Sequence, residues 1–460
     1  MLSKEQAAEI FKRIEKLTTA EEVEVLMGGG RSALTRFANN TIHQNVAEES
    51  HFISVRTAFK GRTARATTNK FDDESLRSVV AAAEALSKVQ HPDDDLLPMA
   101  SAAEAGPATA LPPRYFAETV AVGPAERAAG VREMVEIAKR EKLTAAGIFS
   151  NSESFEAIFN SRGIARHHTE SSSVVSVTML AKDSSGWQKA NSADVRRLEP
   201  KALAEIATRK ARESAGPKEI TPGKLAVILE PAAVLDLIGF MFYDFGGMAI
   251  LDQRSFLNER VGSKLFGENV TFWDDVTHPL QSGAGFDGEG MARERVELVK
   301  NGVVQQLVYA RNTAAKVKSS AVAAKLGTIR ATGHGFPLPN EIGEAPMNIV
   351  FAPPSSPQTT EQMIASTERG VLVTRLWYIR EVDPYEKILT GMTRDGTFLI
   401  EKGKVKHGIR NFRFNQSLIE MLSKVEAMSM PVRASGEESF DMVVPAMKVG
   451  DFNFTEVTKF

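Results

Sequence analysis

The 460-residue chain holds eight histidines and no cysteine, and that inventory settles early which chemistries are open. Without a thiol there is no disulfide, no iron–sulfur cluster, no Cys-ligated zinc and no thiolate nucleophile. His167 and His168 are adjacent, but on a predicted strand neighbours point to opposite faces and cannot chelate one ion together. "DDVTH", Asp274–His278, could hold a hard cation through its carboxylates; a solvated, capped turn is the reading favoured for a charge cluster near a loop. In "ATGHGFPLPNE", Ala331–Glu341, His334 lies between glycines in a proline-rich loop, where backbone could approach a ligand closely. A plain surface loop is the favoured reading. "GAGFDG", Gly283–Gly288, satisfies G-x-G-x-x-G, yet it leads into a hairpin rather than a helix, so a glycine-rich loop is favoured over a dinucleotide site. Neither a phosphate-cradling G-x-x-x-x-G-K-[ST] nor a G-x-S-x-G nucleophile elbow occurs.

The most apolar stretch is "VLDLIGFMFYDFGGMA", Val234–Ala249. A membrane span needs about 20 apolar residues; this run is shorter and carries Asp236 and Asp244. As a helix it places Leu235, Ile238, Phe242 and Phe245 at the spacing of a core stripe, leaves Asp236 and Asp244 for the opposite face, and ends or kinks at "FGGMA". Two readings stay open: core packing, or a helix on which an active site is mounted.

Helical patterns that could position these residues run over Ser3–Leu17, Asp72–Lys88, Pro124–Lys142 and Pro200–Ala215. "HFISVRTAF", "KGR" and "TARATTN" read as a hairpin, and Ser154–Asp183 as a three-stranded meander turned at Arg162-Gly163 and again at its serine run. Glu297–Tyr309 and Phe398–Ile409 repeat one device, a strand, a Lys-Asn-Gly or Lys-Gly turn, and a second strand. Ala/Pro-rich His91–Pro113 and "SAGPKEITPG", Ser214–Gly223, read as linkers. They divide an α+β chain into an N-terminal two-layer α/β domain (1–90), a middle α/β domain (114–215) and a β-rich C-terminal domain with a mixed or antiparallel sheet (223–460). A net charge of −2, from 56 basic and 58 acidic residues, provides no field to hold nucleic acid. The amphipathic N-terminus lacks an apolar export signal, so a cytoplasmic protein that does not use a membrane is expected.

Several stretches together resemble the TldD/PmbA family of metalloproteases and their partner subunits, formerly called modulators of DNA gyrase. They are "LTRFANNTIHQNVAEESHFISVRTAFKGRTARATTN", "FDGEGMARERVELVKNGVVQQ", "REVDPYEKILTGMTRDGTFLIEKGKVKHGIRN" and "VVPAMKVGDFNFT", spread over nearly the whole chain. The resemblance implies that in the catalytic branch the helix at Val234–Ala249 carries H-E-x-x-x-H, completed by a distant C-terminal cysteine, so that imidazoles and a thiolate hold Zn²⁺ while the Glu handles the proton of an activated water. Here Asp236, Leu237 and Met241 stand near those three positions, and no histidine occurs between Val174 and Thr277. The resemblance therefore points to the TldE/PmbA-like branch: no catalytic or metal residues and no cofactor in this chain, with zinc expected in a TldD-like partner subunit. A heterodimer with that subunit, processing unfolded peptides bound by strand addition, is the leading expectation. The resemblance implies that the metal-free subunit supplies interface and chamber wall, where flexible Met and flat aromatic groups accept many side chains, and the peptide-cleft candidates are Asp236, Met241, Tyr243, Asp244 and His334. A homodimeric, chaperone-like peptide-binding module is the alternative, and a peptidase using Asp236, Asp244 and His334 in a non-standard site ranks last.

Overall fold

The structure, a computed structural model, describes residues 1–458. All four expected helices form, at Lys4–Leu17, Asp73–Val89, Pro124–Arg140 and Pro200–Glu213. Their starts follow from local chemistry. Ser3 and Gln6 make a reciprocal capping box, Asp72 accepts from the Ser75 amide, and proline opens the other two. The first helix buries Ala7, Ile10, Phe11 and Ile14, one apolar stripe.

These helices cover one face of a six-stranded antiparallel sheet built from β1 (Glu22–Ala38), β2 (Thr41–Phe59), β3 (Arg62–Thr68), β4 (Thr144–Asn160), β5 (Ala165–Leu180) and β6 (Ser185–Ser192), in the order β3-β2-β1-β4-β5-β6. The expected β2–β3 hairpin turns through Lys60 and Gly61, both at positive φ. Strands from segments 1–90 and 114–215 join in this single sheet, because β1 pairs with β4 from Glu24↔Asn160 to Phe37↔Gly147. Two apolar clusters lie under it. Val23, Val25 and Phe159 pack near the first two helices, whereas Phe37, Phe149 and Val175 pack near the other two.

The serine run does not turn the chain, contrary to expectation. β5 passes straight through Ser171–Ser173, and the third strand of the meander, β6, starts only at Ser185. Ser171 and Ser173 are tolerated in a buried strand because their hydroxyls donate to the carbonyls of Ala193 and Ser192. The expected linker 91–113 is likewise no free tether. Ala100 and Ala105 are buried, Glu104 pairs with Arg311, and the Thr109 amide donates to Gly285.

The rest of the chain is β-rich, and the α+β class holds. One sheet runs Val303–Val304, Val296–Lys300, Phe272–Asp274, Ile349–Phe351, Met442–Val444, Val432–Ala434. The other, which includes Gly223–Leu229, is mixed, since that strand is parallel to Arg369–Asp383 and antiparallel to Met447–Val457. Both repeated hairpins form, turning at Asn301-Gly302 and Lys402-Gly403 with all four φ values positive. No helix among the described residues is long and apolar enough to cross a membrane.

Candidate functional site

The apolar stretch is broken into three pieces instead of one helix: an α-helix Pro231–Ile238, a 3₁₀ segment Gly239–Phe245 and a short helix Gly247–Leu251. Every residue from Ala233 to Ile238 is buried, as in a helix surrounded by protein. The break falls at Gly239, where a Cβ would collide with the Ser439 hydroxyl. Leu237, Met241, Phe242 and Phe245 belong to the main core, with the Phe242 and Phe245 rings 5.8 Å and 5.9 Å from Phe272. Core packing is thus the role of most of this stretch.

Its two carboxylates are also internal. Asp236 is 0% exposed, and its Oδ1 accepts from the amides of Glu437 (3.1 Å) and Glu438 (3.0 Å). Its Oδ2 has no hydrogen-bond partner among the described residues. Burial pushes the carboxyl up to about 7, against the pull of those amides and with the charges of Glu437 and Glu438 adding to the rise. Asp244 pairs with Lys387 Nζ at 2.6 Å and accepts from the Phe256 amide at 3.0 Å. Burial lifts it to about 6 in spite of Lys387. Tyr243, 48% exposed, is the one cleft candidate on this stretch that presents its side chain to solvent. As placed, Asp236 and Met241 offer nothing to a peptide, because the core covers them.

The positions that would carry zinc ligands do not fit the ion. Asp236 spends one oxygen on two amides, Leu237 has no donor atom, and the Met241 thioether, a poor zinc ligand, is in the core. The C-terminal loop that meets this helix, residues 435–439, reads Ser-Gly-Glu-Glu-Ser. Among the described residues no group of three or more His, Asp or Glu side chains could hold a metal.

His334 belongs to a different place. Its Nε2 lies 2.9 Å from Asp274 Oδ1 and its Nδ1 3.0 Å from Thr332 Oγ1. Asp274 also receives Arg293 at 3.0 Å and the Asn348 amide at 2.6 Å; although it is fully buried, Arg293 and His334 hold its carboxyl down at about 2. Arginine therefore supplies the positive charge that a cation at "DDVTH" would have brought. Asp275 accepts from the Thr277 amide at 2.8 Å, the capped turn that was favoured. No hydrogen bond or ion pair among the described residues joins His334 to Asp236 or Asp244, so the non-standard constellation is not assembled.

The glycine-rich loop does open no helix. Asp287 organises it by accepting from the amides of Glu289 (2.9 Å), Met291 (2.9 Å) and Gly335 (2.8 Å), which draws the His334 loop alongside. Opposite stands the face of the first sheet turned away from its helices, where Leu26 and Ile158 pack on Ala284 and Phe286. Between them is a cleft of about 300 Å³, lined among others by Phe52, Glu156, Asp287 and His334. Glu156 is solvent-accessible there, yet the enclosing walls, with Glu170, push its carboxyl upward. Its cross-strand neighbour is His168, 3.6 Å from Glu170, which in turn accepts from the Gly283 amide at 2.8 Å. His167 points away, toward the Leu2 carbonyl at 2.9 Å, as strand alternation requires. Sequence reasoning does not single out Glu156, Glu170 and Asp287: strand alternation sets His168 and Glu170 on one face, but Glu156 joins them only through the β4–β5 register, which the fold decides.

The profile of the PmbA/TldA metallopeptidase C-terminal domain matches residues 222–456, just over half of the chain, and that of PmbA/TldA metallopeptidase domain 1 matches residues 23–87. Metalloprotease PmbA of Escherichia coli O157:H7 is 21% identical over 321 residues, 68% of this chain and 66% of that protein. A metalloprotease of Methanocaldococcus jannaschii is 24% identical over 218 residues, 46% of this chain and 45% of the relative. The chain spans from about a quarter to two thirds of the length of these first curated relatives. Among solved structures, TldE from Thermococcus kodakarensis superposes with a TM-score of 0.85 at 18% identity, over 98% of this chain and 100% of that one. A candidate modulator of a DNA gyrase from Thermotoga maritima gives the same figures, and at that identity the likeness is one of fold. With its C-terminal half and its first domain both matched, this chain belongs to the PmbA/TldD metallopeptidase family.

Proposed function

We propose that this chain is a metal-free subunit of a TldD/TldE-type peptidase, working in the cytoplasm beside a zinc-bearing homologue and contributing interface and peptide-holding surface rather than catalysis. The observation that carries this reading is the donor set on the Pro231–Phe245 stretch: a carboxylate engaged by two amides, a leucine and a core methionine. Such a set neither binds zinc tightly nor activates water on it. The family relation and the TldE-like fold support the partner role. Of the original candidates, Tyr243 is the one at an open surface and His334 the one lining the cleft between first sheet and glycine-rich loop. An extended peptide is the ligand class, since main-chain hydrogen bonds give affinity with little demand on sequence.

The test is reconstitution. The chain is mixed with an H-E-x-x-x-H homologue from the same genome, and both the mass of the complex and the cleavage of an unstructured peptide are followed. A mixed complex that cuts only when both chains are present is expected; a homologue that neither binds this chain nor changes its own cleavage rate in its presence would contradict the proposal.

A further inference from the structure

Residues 435–439 form a junction of three parts of the molecule, and one buried oxygen fastens them. Asp236 Oδ1, on the core helix, takes the consecutive amides of Glu437 and Glu438. Gly436 leaves no room for a side chain, because a Cβ there would collide with that same oxygen. From β6 of the first sheet, Lys189 Nζ donates to the Gly436 carbonyl at 2.7 Å and lies 3.3 Å from Glu437. From the Arg369–Asp383 strand, the Tyr378 amide donates to Glu438 at 2.7 Å, with Arg380 at 3.8 Å. Tyr378 has φ +57 and is 57% exposed, so its backbone depends on what holds it from the loop side.

We propose that Asp236 is a positioning residue that fastens loop 435–439 to the core helix without a metal, and through that loop holds β6 and the exposed Tyr378 segment in place. The hydrogen bonds stand independently of the partner-subunit reading; only the statement that no metal shares the task rests on it. Two adjacent amides on one carboxylate oxygen are a strong, charge-assisted tie when the carboxyl is ionised, and a neutral acceptor of the same shape keeps both bonds. Asp236→Asn therefore retains the loop, whereas Asp236→Ala leaves two amides without an acceptor and Gly436→Ala pushes the loop off with Asp236 intact.

The experiment is native-state hydrogen exchange of the full chain, read at Glu437, Glu438 and Tyr378. Exchange at least tenfold faster in Asp236→Ala and in Gly436→Ala, near-native exchange in Asp236→Asn, and no change on adding a chelator to the wild type are expected. Unchanged protection in Gly436→Ala overturns the fastening role even if Asp236→Ala fails to fold. Acceleration by chelator in the wild type overturns metal independence, and with it the metal-free reading of the subunit.

Discussion

Replacing Asp236 by asparagine should change how stability depends on pH. Between about pH 4 and 7 the unfolded chain has lost this proton, while the folded chain keeps it, because burial raises the carboxyl from 3.8 to about 7. The unfolded state therefore binds fewer protons, and this group makes stability fall as pH rises through that window. Below about 4 both states are protonated, and above about 7 both are charged, so the curve is flat on either side. At about 1.4 kcal/mol per pH unit, the interval sets a ceiling of about 4 kcal/mol. Asparagine has no proton to lose. The assay is denaturant unfolding of both proteins in steps from pH 4 to 8, taking the difference between them, since Asp244, Asp287 and Glu344 are also raised and contribute the same slope to each. The wild type should lose stability relative to Asp236→Asn as pH rises. A difference that is constant with pH, or that grows in favour of the wild type, would refute the burial argument.

Arg293→Met should destabilise the chain by about 3 kcal/mol at neutral pH, because it leaves Asp274 buried without its arginine partner; adding Asp274→Asn should recover part of that loss in the same unfolding assay. Gly30→Ala should destabilise by about 1–3 kcal/mol and weaken amide protection along β1 and β4, since the new Cβ would meet the Glu153 carbonyl across the sheet.

Local chemistry was readable along the chain. Ser3, Asp72, Pro124 and Pro200 announce helix starts, and Lys60-Gly61, Asn301-Gly302 and Lys402-Gly403 announce hairpins, because caps and tight turns are decided within a few residues. What escaped was decided at long range. Nothing near Ser171 reveals that Ala193 will supply its acceptor, and nothing near β1 reveals that β4, more than a hundred residues on, will join it. The candidate site divides the same way. The histidine and glutamate positions of the family motif fall within one short stretch and the missing cysteine shows in the composition, so both were legible, whereas Asp274, Arg293 and His334 are brought together by the fold, as are Asp236 and Glu438. Asp236 was noticed as a carboxylate on an apolar helix, but its role depends on a loop two hundred residues away.

Whether this chain lacks a zinc site is tested most directly by its zinc content. The full chain, purified away from any homologue, loaded with zinc and dialysed, should retain far less than one ion per molecule, and calorimetric titration should show no tight binding. One zinc per chain surviving dialysis, and lost on substitution of Asp236, would contradict the metal-free proposal.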